Sequence, residues 1–205
     1  MRKLLRKLLF LTVLLIPITT NSHVKTDCAK EAYKNLREDI VSIHFRDSST
    51  INFLENSKLY KIETLIKLTR ISNKHNINPE WLVKIIKKES GGIPNKPNPY
   101  SGAMGIIQWM PETAKYLGTS TKELSNMSVH DQLDYVDKYF TKVQNMKYVN
   151  SYHELYLSVF YPEALGKSDN YIIGSNNKLV AQNKAVDTNN DNTITVSDFK
   201  KYALD

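Results

Sequence analysis

Glu89 is the residue whose neighbours equip it for acid–base chemistry. It follows Leu82, Ile85 and Ile86 at helical spacing, so the four side chains share one face of a helix running from Pro79 to Glu89. Lys84, Lys87 and Lys88 fall elsewhere on the wheel. Asn78 suits the N-cap and Pro79 the first helical position. The acid thus points to the apolar side at the end of the helix, directly before the polar turn Ser90-Gly91-Gly92. Partial burial and the negative end of the helix dipole both favour the protonated carboxyl, while the adjacent lysines oppose it and are screened where exposed. A carboxylic acid held protonated near neutral pH can donate that proton in catalysis. Spacing alone leaves the plainer reading open: a solvated glutamate where a helix frays.

A second motif follows. It reads Ser101-Gly102-Ala103-Met104-Gly105-Ile106-Ile107-Gln108-Trp109 and closes with Pro111-Glu112-Thr113-Ala114. Together with Glu89-Ser90 it resembles the lytic transglycosylase family, the SLT-type domain of lysozyme-like fold. That family carries a Glu-Ser pair, then Gly-Ala-x-Gly-Leu-Met-Gln-x-x-Pro-x-Thr-Ala or a close variant. The resemblance spans Leu59 to Gly166. It implies that Glu89 is general acid and then general base, and that Ser90 and Gln108 bond the glycan or position the acid. It also implies that Gly102 and Gly105 let the backbone approach the sugar or turn sharply. Met104, Ile106 and Ile107 read as core, and Trp109 as core or a sugar platform. A third family motif ends a helix in Ala-Tyr-Asn-x-Gly, and the corresponding segment here is Val159-Phe160-Tyr161-Pro162-Glu163-Ala164-Leu165-Gly166. Tyr161 matches the tyrosine expected on the catalytic carboxylate. Pro162 departs from the Asn of the pattern and offers neither an amide side chain nor a backbone N–H.

The mechanism can be argued from what is missing. Ordinary glycosidases flank the scissile bond with two carboxylates about 5–9 Å apart. Here one acid is well placed, and Glu112 reads as first-turn decoration after Pro111. A single acid suffices if the N-acetyl group of a muramoyl sugar acts as internal nucleophile and its 6-hydroxyl then closes onto C1. The resemblance implies that outcome: cleavage of the MurNAc–GlcNAc bond in peptidoglycan glycan strands with a 1,6-anhydro product, and no cofactor in catalysis.

A further set of candidate ligands sits near the C-terminus. Residues Asp187 to Asp198 match a twelve-residue EF-hand loop, with oxygen donors at Asp187, Asn189, Asp191, Thr195 and Asp198 and a backbone carbonyl at Thr193. Asn192 stands where such loops carry Gly, and Asp198 where they carry Glu. The expected ion is a structural Ca2+ bracing the helix Phe199 to Leu204; an Asx-rich tail without metal is the competing reading. The five histidines have no metal-ligand spacing, and no phosphate-binding or dinucleotide-binding glycine pattern occurs.

The elements that must position these groups are mostly helical. Met1 to Ser22 reads as a secretory signal peptide, with Arg2, Lys3, Arg6 and Lys7 before an apolar run from Leu8 to Ile16 that is too short for a stable membrane span. The chain carries 28 Lys and Arg against 21 Asp and Glu; without those four basic residues the remaining 24 leave a net charge of +3. That balance suits an anionic wall polymer, and no basic stripe or module suggests nucleic acid. Cys28 is the lone cysteine, so no intramolecular disulfide forms. Helices are expected over Ala29 to His44, Leu59 to His75 and onward from the capping signals Ser120-x-x-Glu123, Ser128-x-x-Asp131 and Ser151-x-x-Glu154, with Phe45 to Ser57 as a connector. The apolar run Tyr171-Ile172-Ile173 follows a polar turn.

The expected architecture is mainly α, a lysozyme-like helical domain with few or no strands. It divides into a signal peptide (1–22), an N-terminal helical extension (23–58), the transglycosylase domain (59–166) and a C-terminal extension (167–205) holding the loop 187–198. The expected protein is a secreted monomer, periplasmic or extracellular, at the bacterial cell wall. Two other readings stand beside the lytic transglycosylase: a lysozyme-type muramidase, and a non-catalytic calcium-dependent wall-binding module.

Overall fold

The computed structural model of the chain describes residues 22–57, 59, 61–144 and 146–204. The signal-peptide expectation falls on residues outside this set, Ser22 excepted. The described chain is mainly helical, as expected, with two short strands. Helix α1 (Ser22–His44) begins seven residues before the patterned segment and buries Leu36, Ile40 and Val41, with Phe45 just beyond its end. The expected connector after it is instead largely helical: α2 spans Ser48–Glu55. Asp47 is its N-cap, accepting from the amides of Ser49 and Thr50. The apolar pattern of α2 is thin because only Thr50 and Leu54 are buried, and so the period was hard to read.

Helices α3 (Ile62–Lys74) and α4 (Pro79–Ser90) form the centre. Leu65 and Leu68 from α3 and Leu82, Ile85 and Ile86 from α4 have no exposed surface. Asn78 caps α4 and Gly91 ends it in the left-handed conformation, as the caps in the sequence imply. Short helices α5 (Pro111–Tyr116) and α6 (Thr121–Ser125) lead to α7 (Val129–Lys142), which opens with the Ser128–Asp131 capping box and packs on α3. His75 and Lys74 both bond Asp137 there, at 2.7 and 2.8 Å. Helix α8 (Tyr152–Phe160) starts at the Ser151 cap. It stops before Pro162 because the residue preceding a proline is pushed out of the helical region.

The C-terminal segment is continuous with this core. Strand β1 (Ile172–Ser175) pairs antiparallel with β2 (Thr193–Thr195), and between them lies the short helix α9 (Lys178–Gln182). Helix α10 (Val196–Leu204) then packs along α8. Phe199 is fully buried, stacked on Phe160 at 4.9 Å and edge-on to Tyr156 at 5.2 Å. Among the described residues no helix is long and apolar enough to cross a membrane.

Candidate active site

Glu89 sits in the last turn of α4, half-buried, on the wall of an open cleft of about 910 Å³. Among the described residues one hydroxyl reaches it: Tyr156 on α8 donates to Glu89 Oε1 at 2.6 Å. Burial pushes the Glu89 carboxyl above its ordinary value, and the Tyr156 bond and the charges of Lys88 and Lys96 oppose that without cancelling it. The charge of Glu89 acts back on its neighbours. Burial and that charge push the Tyr152 phenol up to about 12 and the Tyr156 phenol higher still. Tyr156 therefore stays protonated and remains a donor at any physiological pH.

The tyrosine on the carboxylate is thus Tyr156 rather than Tyr161, a correction to the sequence expectation. Tyr161 lies past the end of α8, on the wall of an adjoining groove of about 750 Å³. The two tyrosines stand five positions apart, and of the two Tyr156 is set on the stripe Tyr152, Leu155, Tyr156, Val159 and Phe160, in which the later members follow Tyr152 by three, four, seven and eight positions. That stripe was the available signal.

The second motif is a tight turn fastened to the end of α4. Ser90 is completely buried, its hydroxyl 3.0 Å from the carbonyls of both Ile86 and Ile106 and accepting the Gly92 amide at 3.2 Å. It cannot touch a glycan, which corrects its assignment as a substrate-binding residue; it ties the acid-bearing turn to the motif. Gly105 is needed where it stands. Its φ is +93°, and a Cβ there would lie 2.6 Å from Gln132 Oε1 and 3.1 Å from the Trp109 ring. Gly102, with φ of +73°, also serves the turn, and neither glycine lines the cleft. Trp109 is core. Gln108 does line the cleft, in a left-handed conformation (φ 53°) uncommon for a side-chain-bearing residue. Its amide nitrogen donates to the carbonyls of Lys96 and Gly105 at 3.0 Å each, so its oxygen is the group it can offer a ligand.

Gln132 was invisible to the sequence reading, yet it pins the motif. Fully buried on α7, it accepts the Ile106 amide at 2.8 Å and donates to the carbonyls of Pro94 at 2.6 Å and Leu124 at 2.8 Å. All of its amide groups are thereby bonded, as burial demands. Tyr100, 90% exposed, stands on the cleft rim, its amide held by Asn98. Among the described residues Glu89 is the only carboxylate lining the cleft; Glu112 and Glu163 belong to the adjoining groove.

The C-terminal loop is ordered by its own donors and acceptors. Asp187 accepts the amides of Asp191 and Asn192, and Asp191 accepts that of Thr193. Asn189 bonds Asp191, and Asn190 and Asn192 take the left-handed turns. Thr195 and Asp198 cap α10 reciprocally: the Asp198 amide donates to the Thr195 hydroxyl, and the Thr195 amide donates to Asp198 Oδ2. The oxygen donors are of a chemistry that suits calcium. Their carboxylates nonetheless face the loop's own N–H and O–H groups, and among the described residues no three acidic or histidine side chains gather as a metal cluster.

With this geometry in view, comparison with known proteins gives one match. The family model described as Transglycosylase SLT domain matches residues 68–191, which covers the acid, both flanking motifs, α9 and the start of the C-terminal loop. No curated protein and no solved structure matches the chain. The chain belongs to the transglycosylase SLT domain family, whose members are lytic transglycosylases acting on peptidoglycan.

Proposed function

We propose that this chain is a secreted lytic transglycosylase that cleaves the β-1,4 bond between MurNAc and GlcNAc with Glu89 as its sole acid and base. The observation that carries the reading is a carboxylate that stands alone in the cleft among the described residues, kept toward its protonated form by burial and oriented by Tyr156. Protonated Glu89 gives its proton to the glycosidic oxygen as the bond from MurNAc C1 to that oxygen breaks. The acetamido oxygen of MurNAc bonds C1 in its place. The Glu89 carboxylate then takes the proton of the C6 hydroxyl, whose oxygen attacks C1 and releases the acetamido group. The product is 1,6-anhydro-MurNAc, and Glu89 returns protonated. Gln108 is the cleft residue available to bond the sugar, and Ser90 holds the acid in place. The site of action is the cell wall, in a periplasm or outside the cell.

Digestion of purified peptidoglycan, read by mass spectrometry, tests this. Anhydro-muropeptides from the wild type and none from Glu89→Gln are the expected result. Hydrated reducing ends would make the protein a muramidase and require a second carboxylate. Binding with no product from either protein would make it a wall-binding module.

We propose also that the loop 187–198 holds a structural calcium ion through Asp187, Asn189, Asp191, Thr195 and Asp198 and the Thr193 carbonyl. Support comes from the loop's turns and from the start of α10 at Val196, where an EF-hand loop delivers its exiting helix. Asp198 would have to leave the Thr188 hydroxyl, 2.7 Å away, to reach the ion. Melting in millimolar calcium against chelator decides: a rise in Tm is expected, and an unchanged Tm overturns the proposal.

A further inference from the structure

The acid and its tyrosine are packed by a helix that the chemistry above does not use. The family match ends at Asp191, so helix α10 lies beyond it. Phe199 and Tyr202 stand three positions apart on α10 and share a face. That face meets α8: Phe199 stacks on Phe160, and the Tyr202 ring lies 6.3 Å from the ring of Tyr156, the donor to Glu89. Tyr202 also reaches α4. Lys88, the residue before Glu89, donates to the Tyr202 carbonyl at 2.7 Å and holds its ammonium 4.1 Å over the Tyr202 ring. The same ammonium is 5.9 Å from the Tyr156 ring.

Tyr202 thus joins the two helices that carry the catalytic pair, α4 with Glu89 and α8 with Tyr156. Beyond burial and the Glu89 charge, the Tyr202 phenol adds to the upward push on Tyr156 and Tyr152. A lysine beside a proton donor works against it, because its charge favours the carboxylate. The ring and carbonyl of Tyr202 give that ammonium two fixed partners on α10. The carbonyl is one of the last four of the helix, which no intrahelical N–H takes, and the negative helix end favours a cation there.

We propose that Tyr202 is a positioning residue for Glu89: it pins Lys88 to α10 and backs the Tyr156 ring, so that the acid keeps its orienting donor and its apolar surroundings. This rests on the transglycosylase reading and deepens it. The titratable groups around Glu89 are Tyr152 and Tyr156 from α8, Tyr202 from α10, Lys88 beside it on α4 and Lys96 after that helix, and Lys178 from α9 lines the same cleft. Without the Tyr202 ring, water reaches the tyrosine cluster and Lys88 is loosed beside the carboxylate. Both changes favour ionised Glu89, so its pKa falls.

Kinetics of the full chain on soluble glycan strands test this. Tyr202→Ala should lower kcat about tenfold with KM nearly unchanged, and should move the basic limb of kcat to lower pH. Tyr202→Phe keeps the ring and carbonyl and should match wild type in both. Leu36→Ala, in the core on α1, should lower Tm without moving the limb. An unmoved limb in Tyr202→Ala overturns the proposal, as does a shift that Leu36→Ala reproduces or Tyr202→Phe shares. Should Tyr202→Ala not fold, Tyr202→Leu keeps apolar bulk against Tyr156 and removes the ring under Lys88; its limb should move the same way, and an unmoved limb overturns the proposal. Carbon-13 NMR titration of the Glu89 carboxyl, assigned against Glu89→Gln, reads the same shift without turnover. If wild type makes no anhydro product yet this titration moves in Tyr202→Ala, the transglycosylase reading fails and the positioning stands. If wild type makes anhydro product and the titration stays put, the positioning fails and the transglycosylase reading stands.

Discussion

Two buried-side acids at helix termini hold their protons in opposite ways. Glu89 ends α4 and receives one hydroxyl, from Tyr156. Asp198 lies in the first turn of α10, 2% exposed, and receives the Thr188 hydroxyl on one oxygen and the Thr195 amide and hydroxyl on the other. Burial acts upward on both carboxyls. It prevails at Glu89, while at Asp198 the bonds from Thr195 and Thr188 outweigh it and leave the group below its ordinary value. The helix ends act in the same sense, since a C-terminus disfavours the carboxylate and an N-terminus favours it. Burial alone does not make a proton donor. The number of donors met by the carboxylate decides, and one is few enough to leave Glu89 available for transfer.

The largest test of that contrast is Glu89→Gln, which should cost about 10³-fold or more in turnover, measured as anhydro-muropeptide release. Substantial residual activity would remove Glu89 from the chemistry. Next comes Gly105→Ala. The new Cβ would displace Gln132 from the Ile106 amide and strain a backbone at φ +93°, lowering stability by about 3 kcal/mol. For a chain of this size that is a fall in Tm of roughly 6–12 °C. A Tm unaffected by this change would mean the motif turn is not pinned by Gln132.

Tyr156→Phe should lower kcat about tenfold through lost orientation of the acid. Its sharper readout is the pH profile. The Tyr156 bond lowers the Glu89 pKa, so its removal should move the basic limb of activity upward. A loss of kcat with an unmoved limb would reduce Tyr156 to packing. Asp198→Ala, at the other acid, should cost about 1–2 kcal/mol through the lost cap, read by denaturation. Because the folded pKa of Asp198 is depressed, its contribution is present above the unfolded value of about 3.9 and disappears as pH falls through the folded one. The variant and wild type should therefore converge in strong acid.

The smallest effect has the opposite sign. The folded pKa of Glu89 is raised, so its ionisation costs stability once pH passes the unfolded value of about 4.3. Glu89→Gln should melt slightly higher than wild type at pH 7, by about 1 kcal/mol or less, and match it in acid. Equal melting at both pH values would mean that the acid is not held in its protonated form.

How much of this was legible in the chain depends on the range of each interaction. The helix of Glu89 could be read because the Asn78 cap, Pro79, the apolar stripe and the closing glycine are all local signals. The same holds for the capping signals at Ser120, Ser128 and Ser151. Helix α2 escaped because its evidence is one Asp cap and two buried residues. Ser90 and Tyr161 were assigned from motif position, which records that a residue belongs to the site and not which way it faces. Gln132 and Tyr156 lie 43 and 67 residues from Glu89, and no spacing along the chain connects a buried amide or phenol to a turn that distant.

The sequence by itself determined a mainly helical chain, a single carboxylate at the end of an apolar helix face, and a C-terminal loop whose oxygens recur at fixed intervals. Each follows from periodicity, capping and local side-chain chemistry, which act over a few residues. Only the tertiary structure decided that Tyr156 holds the acid, that Ser90 and Gln132 fasten its turn, and that α9 closes the cleft with a lysine. Those contacts exist because α8, α7 and the C-terminal segment bury their apolar faces against one core. Such burial is non-directional and fixes which helices meet, leaving the few polar groups at the seams to find their partners.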